Sequence, residues 1–168
     1  GWVCRARSIE DGRIQVILVF LPGDLFAVKS MFVRLESDGV TALSDAVVEQ
    51  IDQRQLRSAF ETDPDVALRC LWQVVEEERR LHTWLVGLGR GAADERVAMM
   101  LVDFQNRLTL SGAIPAGSTE FSIPLTQAQI GDLLGVTPIH VNRVLKTLRD
   151  RNIAVIRDRR VAIHDMPA

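Results

Sequence analysis

The sequence of 168 residues predicts an α+β chain: a β-rich front section, one long helix, and a C-terminal winged helix-turn-helix. Three observations carry that expectation. Two capped helices with a glycine turn between them fall inside Pro124–Asp150. Short β-rich runs flank this pair on both sides. A long stretch of helical periodicity, opened by Asp63-Pro64, separates it from an apolar, turn-rich beginning.

In the front section, residues 1–8 alternate loosely and lead into Asp11-Gly12, a favoured hairpin dipeptide. Ile14–Leu21 (IQVILVFL) is a strongly apolar strand, closed by the turn signal Pro22-Gly23-Asp24. Val40–Leu43 and Ala46–Ile51 read as further strands, with Ser44-Asp45 between them. Residues 1–62 are a small β section to stand alone.

Asp63 and Pro64 open the long helix as N-cap and first helical residue. It is expected to run to about Leu88, where Gly89 and Gly91 break it and form a hinge. Its apolar residues make two stripes. One is Leu71, Val74, Leu81, Leu85 and Leu88, the other Leu68, Trp72, Val75, His82 and Val86. One stripe can cover the β section. The second needs another partner, and near-heptad spacing points to a symmetry mate, with the first stripe taken as the dimerisation face. The alternative is a helix fully buried within one chain. Glu76–Arg80 reads as a solvated charged patch. Asp94 and Glu95 then open a helix whose buried stripe is Val97, Met100, Leu101, Phe104 and Leu108. Leu110–Glu120 is a loop.

The helix-turn-helix is the most specific stretch. Thr126 and Gln129 form a capping box, and Ile130 falls where it can staple against Leu125. The first helix is expected over Gln127–Leu134, with Gly135 in the turn and Gly131 as the small residue at the crossing. Thr137 and Pro138 start the second helix, and Val141, Val144, Leu145 and Leu148 are its packing stripe. Pro138, Ile139, Asn142, Arg143 and Lys146 are left pointing outward, as a helix entering a major groove requires. Phe121–Ile123, Ile153–Ile156 and Val161–Ile163 are three short strands around the pair. The turn Arg157–Arg160, with three arginines, is placed over phosphates. The domain division expected is 1–62 sensor, 63–91 long helix and hinge, and 92–168 DNA-binding domain.

Net charge is −2, but residues 126–168 carry 7 Lys+Arg against 4 Asp+Glu, and the rest carry 13 against 18. A basic tail behind an acidic front fits a regulator better than a nonspecific coating protein. Cys4 and Cys70 lie far apart without a CxxC, which suggests a reducing, cytoplasmic setting. No run is long enough to span a membrane and no signal peptide is evident. The chain begins at Gly1 rather than Met, so an upstream start is expected.

The order of elements, with GWVCRAR, DGRIQVILVFLPGDLF and IPLTQAQIGDLLGVTPIHVNRVLKTL, resembles the Crp–Fnr family of bacterial transcription regulators over essentially the whole chain. The resemblance implies a partial β-roll (double-stranded β-helix or jelly-roll type) missing its first strands, and an early C-terminal stop after IHD. It implies a homodimer built on the long helix, reading a two-fold symmetric double-stranded DNA site, with RNA polymerase as a further partner and no membrane. By position, Arg143 matches the guanine-reading arginine, Asn142 precedes it, and Ile139 stands where many members carry a cytosine-reading glutamate. The base-reading set is thus Arg143, Asn142, Ile139 and Pro138. Thr126, Gln127, Thr137, His140, Lys146, Arg157, Arg159 and Arg160 are assigned to phosphates. Cyclic-nucleotide-binding members carry Gly-Glu after the PGD-type turn and Arg-Ser or Arg-Thr further on. Here the pairs are Ala27-Val28 and, near the second position, Asp38-Gly39, with Arg34 and Lys29 out of register. An ordinary cyclic-nucleotide site is therefore not expected, and the effector is another molecule or none. The cysteine cluster of iron–sulfur sensors is absent from this stretch, and His82 as a haem ligand is weighed against a surface histidine. No cofactor or metal is assigned.

A second hypothesis is a sensor or interaction module whose winged helix binds a protein. Such a module would show no steep salt slope with duplex DNA. An enzyme is not expected: there is no phosphate loop, no metal constellation among the three histidines, and no nucleophile elbow, so no catalytic residue is assigned.

Overall fold

A computed structural model describes residues 1–33 and 37–165; Arg34, one of the two cations considered for the effector site, lies outside them. The elements are β1 (Val3–Ser8), β2 (Ile14–Phe20), β3 (Gly39–Ala42), α1 (Gln53–Thr62), α2 (Pro64–Arg90), α3 (Ala93–Leu110), β4 (Glu120–Ser122), α4 (Gln127–Leu134), α5 (Pro138–Asp150), β5 (Ala154–Arg157) and β6 (Arg160–Ile163). They form two antiparallel sheets, ordered β2-β1-β3 and β4-β6-β5.

The front sheet is anchored by its turns and its buried end. After β2, Pro22-Gly23 makes a tight turn with Gly23 at φ 91°, closed by the Asp24 N–H donating to the Leu21 carbonyl at 3.0 Å. Val16, Leu18, Val19, Phe20 and Leu21 are buried, and Trp2 meets Phe104 of α3 edge-on at 5.1 Å. One continuous apolar core therefore joins the front sheet to α3 and α4. Arg5 is also buried, over the Phe20 ring at 5.2 Å and ion-paired with Glu77 of α2.

One expectation about this region is corrected. Ala46–Ile51 is not a strand. Val47 is 94% exposed, and Val48 and Ile51 are more than half exposed. β-branched residues make a strand only where another strand pairs with them, and none does so here among the described residues. The chain instead stays irregular up to Asp52 and then turns helical. The Asp52 carboxylate accepts from the Arg54 and Gln55 N–H groups, Gln55 returns its side chain to the Asp52 N–H, and α1 follows.

α2 opens as expected, with the Asp63 side chain accepting from the Asp65 N–H and Pro64 at the first position. It does not break at Gly89, which is helical. The helix ends at Arg90, and only Gly91 and Ala92 separate it from α3. A Cβ on Gly91 would come within 2.7 Å of the Gly87 carbonyl oxygen, so the junction is tight. The inner line of α2 is Glu77, Arg80, Leu81, Trp84 and Leu88, at helical spacing. The stripe assigned to dimerisation is thereby split: Leu81 and Leu88 pack against the core, whereas Leu71, Val74 and Leu85 stay exposed. The charged run is split too, because Arg80 is buried and Glu77 is engaged by Arg5. In α3, Val97, Met100, Leu101, Phe104 and Leu108 are all buried, and the Glu95 carboxylate caps the Ala92 N–H at 2.7 Å.

Candidate nucleic-acid interface

α4 is fixed at both ends by local chemistry. The Gln129 side-chain oxygen accepts from the Thr126 N–H at 2.8 Å, and the Thr126 hydroxyl accepts from the Gln129 N–H at 3.2 Å. Leu125 and Ile130, the staple pair, are buried. At the other end Gly135 takes φ 68°, the left-handed conformation that glycine adopts without strain. The last carbonyls of α4 find donors outside the helix: Gln15 of β2 reaches Leu133 at 3.3 Å and Arg96 of α3 reaches Leu134 at 3.1 Å. A Cβ on Gly131 would lie 2.5 Å from the Val136 carbonyl oxygen, so the turn folds back directly on this helix.

α5 begins on the Thr137 hydroxyl, which accepts from the His140 N–H at 3.3 Å, with Pro138 as its first residue. Val141, Val144 and Leu148 are buried and Leu145 half-buried. The opposite face carries Ile139, Asn142, Arg143 and Lys146, spaced i, i+3, i+4, i+7, all exposed; Ile139 is 75% exposed. Four side chains with apolar, amide, guanidinium and ammonium ends thus share one ridge on a helix whose other side is dry.

The wing is tighter than its sequence suggests. β5 and β6 pair through Arg157 opposite Arg160, and the turn is only Asp158-Arg159, both at positive φ (50° and 63°). Arg157, Arg159 and Arg160 are all exposed. The Ile123 N–H donates to the Arg159 carbonyl at 2.8 Å, which ties the wing turn to the segment entering α4. Gln127, Asn142 and Lys146 converge with Arg149 around a shallow hollow walled by Val155 and Ile156 of the wing. Arg149 was not among the sequence candidates; its signal was its place three residues beyond Lys146. His140 and Arg143 border a second hollow with Asp94 at the start of α3.

One acid in this domain is held unfavourably. Burial pushes the Asp132 carboxyl of α4 above the usual carboxylate range. A raised folded pKa means the native state binds this proton more tightly than the unfolded chain, so the charged form detracts from stability as pH rises through that window. Asp132→Asn is expected to raise Tm at pH 7 and to lose that advantage in acid, where the wild-type carboxyl is protonated. Thermal unfolding at the two pH values checks this.

The other sequence candidates are dispersed. Ala27 lies at φ 62° before a short 3₁₀ turn over Val28–Met31, and Asp38 is ion-paired with Arg7 at 2.7 Å and Lys29 at 3.2 Å. His82 is exposed on α2, 4.0 Å from Glu78. Cys4 is buried, and burial pushes its thiol up. On α2, Leu68, Leu71, Trp72, Val75, Leu85 and Val86 form a long uncovered apolar face. No helix among the described residues is long and apolar enough to cross a membrane.

Comparison with known proteins follows this geometry. A Crp-like helix-turn-helix domain matches residues 95–168. The chain is 29% identical to the transcriptional activator protein FnrL of Cereibacter sphaeroides, covering 98% of this chain and 66% of that protein. It is 32% identical to the nitrogen fixation regulation protein FixK of Azorhizobium caulinodans, covering 100% and 66%. The chain thus spans just under two thirds of the length of these relatives. The structure of FixK2 from Bradyrhizobium japonicum superposes with a TM-score of 0.80 at 29% identity, over 98% of this chain and 79% of that one.

Proposed function

The chain belongs to the Crp–Fnr family of bacterial transcription regulators, and from that premise we propose that it acts as a homodimer reading a two-fold symmetric duplex DNA site through α5. The observation that carries the reading is the ridge Ile139, Asn142, Arg143 and Lys146, exposed on a helix whose other face is locked into the core. Arg143 reads a guanine through a bidentate contact, Asn142 and Pro138 flank it, and Ile139 meets a thymine methyl. Thr126, Gln127, Thr137 and His140 at the two helix starts, with Lys146 and wing residues Arg157, Arg159 and Arg160, hold phosphates and set register. Two copies pair along the exposed face of α2, which places the two α5 helices about one DNA turn (~34 Å) apart. RNA polymerase is the further partner, and the effector is a molecule other than an ordinary cyclic nucleotide, or none.

The test is a binding selection from a random duplex library followed by sequencing of the retained DNA. A symmetric motif with half-sites about one turn apart is expected. Arg143→Ala should cost about 1–3 kcal/mol of discrimination and relax one base position in each half-site. An unchanged ratio of target to scrambled binding in that variant removes Arg143 from the readout. Affinity should also fall steeply with salt; a flat slope together with no enrichment points to a protein partner instead.

A further inference from the structure

A second polar site lies in the front section, away from the DNA-reading ridge. Asp38 stands immediately before β3, and its side chain is only 7% exposed. Both of its oxygens are taken. Oδ1 accepts from Arg7 of β1, through Nε at 2.8 Å and Nη2 at 2.7 Å. Oδ2 accepts from the Lys29 ammonium at 3.2 Å. The Ser37 hydroxyl accepts from Arg7 Nη2 at 2.6 Å and donates to Oδ1 at 3.3 Å. Burial works against the Asp38 charge, but the hydrogen bonds from Arg7 and then Lys29 outweigh it and hold the carboxyl below the usual carboxylate range. A carboxylate is thus enclosed by a guanidinium, an ammonium and a hydroxyl, while the two cations stay partly open to solvent.

These contacts tie together β1, the 3₁₀ turn Val28–Met31 and the start of β3. The turn needs such a tie. No residue of it is fully buried, and it opens on Ala27 at φ 62°, a left-handed conformation that a residue with a Cβ adopts at a cost. Strain of this kind persists only where the surroundings hold it in place. Local bonds close the turn: the Ser30 N–H and hydroxyl both donate to the Ala27 carbonyl, at 3.0 and 2.6 Å. They do not fix it against the sheet, and the tie from Lys29 through Asp38 to Arg7 does. On its other side, the Met31 carbonyl accepts from the Gln53 amide of α1 at 3.1 Å, and only Asp63 separates α1 from α2.

We propose that Asp38 is the built-in occupant of an anion site formed by Arg7, Lys29 and Ser37, so that the chain supplies from within the charge a small anionic effector would bring, and the turn is set without one. Fully exposed ion pairs contribute little because water competes for both partners. Here the acid is desolvated and each oxygen has a charged donor, the stronger kind of hydrogen bond. A tethered carboxylate also competes at an effective concentration on the order of millimolar, so a free anion below that level does not displace it. Because the turn is joined through α1 to the start of the long helix, the same device holds α2 in one arrangement with no anion bound. That consequence rests on the function proposed above; the filled anion site does not.

Inorganic phosphate and acetate, titrated at constant ionic strength, are the probes. They are followed by the Arg7 Nε–H resonance and by hydrogen exchange of the Ser30, Phe32 and Val33 amides, which donate to the Ala27 and Lys29 carbonyls. In the wild-type chain neither anion should move the Arg7 signal. Asp38→Ala should lower protection of the turn amides and open the site. Phosphate should then bind saturably, at least ~10-fold more tightly than to wild type, shift the Arg7 signal and restore the lost protection. Adding Arg7→Met to Asp38→Ala should abolish that gain. The proposal is overturned by saturable binding of either anion at Arg7 in the wild type, by an Asp38→Ala chain that gains no anion binding, by a gain that survives loss of Arg7, or by unaltered exchange of the turn amides in Asp38→Ala. Should Asp38→Ala fail to fold, Asp38→Asn, which keeps the shape and drops the charge, is read by the same measurements. DNA affinity tests the coupling. Wild type should bind its selected site with no anion added, and Asp38→Ala should bind it more weakly until phosphate is supplied. Unchanged DNA affinity in Asp38→Ala, with the anion gain intact, keeps the site and removes the coupling. Loss of DNA binding in every chain, wild type included, overturns the function proposed above and leaves the anion measurements to decide on Asp38.

Discussion

Leu85→Asp is expected to leave the chain folded, to abolish self-association, and with it to abolish tight binding to a symmetric DNA site. Leu85 is 70% exposed and Val86 beside it 65%. Neither contributes much to the stability of one chain, where substitutions at such sites stay within about ±0.5 kcal/mol. They lie instead on the face that continues through Leu68, Leu71, Trp72 and Val75. In a two-fold interface built on that face each Leu85 meets its symmetry environment twice. An uncompensated buried carboxylate costs about 3–5 kcal/mol, hence roughly 6–10 kcal/mol for the pair. A micromolar dimer is held by only about 8 kcal/mol, so it should dissociate at ordinary concentrations. Sedimentation equilibrium measures the state directly. Binding to a single half-site should be retained while binding to the full site weakens strongly. Leu88→Ala is the informative contrast. Leu88 packs inward against the core, so its truncation should lower Tm and leave the dimer constant nearly unchanged. A dimeric Leu85→Asp protein would mean that another surface joins the subunits.

What could be read from the sequence was what is decided within a few residues. The capping box of Thr126 and Gln129, the turn at Gly135, the Thr137-Pro138 start and the apolar stripe of α3 are local, and each lies where it was expected. The failures are non-local. Val47, Val48 and Ile51 have strand chemistry, but a strand exists only if an edge is there to pair with. The local box of Asp52 and Gln55 prevailed instead, a capping pattern that stands in the sequence directly after Ile51. Periodicity on α2 showed apolar stripes but not which of them the core would claim, so Leu81 and Leu88 went inward while Leu85 stayed out. A run of five charges read as solvated because nothing local revealed that the front sheet and α3 would close over Arg80. The wing turn is Asp158-Arg159 rather than the four residues Arg157–Arg160, and this pair lacks the glycine that usually marks a two-residue hairpin. On the candidate interface the ridge on α5 followed from helix geometry alone, whereas the approach of Arg149 to Gln127 depends on the packing of α5 against the wing.

Gly131→Val should disrupt the turn of the helix-turn-helix although the residue touches no part of the exposed ridge. A Cβ there would lie 2.5 Å from the Val136 carbonyl oxygen and 3.6 Å from Pro138 N and Thr137 C. These are backbone atoms, so no rotamer change can clear them. The chain between α4 and α5 is only Gly135, Val136 and Thr137, and the Val136 N–H already donates to the Gly131 carbonyl at 3.1 Å. Making room means opening the angle between the helices. That angle is held by Ile130, Leu134 and Val141, each no more than 1% exposed, and separating them exposes a close-packed core. Overpacking against rigid backbone of this kind is expected to cost about 3 kcal/mol, read as a lower denaturant midpoint at unchanged m. Gly135→Asn provides the scale. Nothing lies within 4 Å of a Cβ at Gly135, and only its φ of 68° is demanding, which Asn tolerates, so that loss should stay near 1 kcal/mol. Because α5 is aimed by this crossing, Gly131→Val protein that remains folded should still lose the symmetric DNA site. A variant with both a wild-type midpoint and wild-type DNA affinity would show that the close approach at Gly131 does not set the orientation of α5.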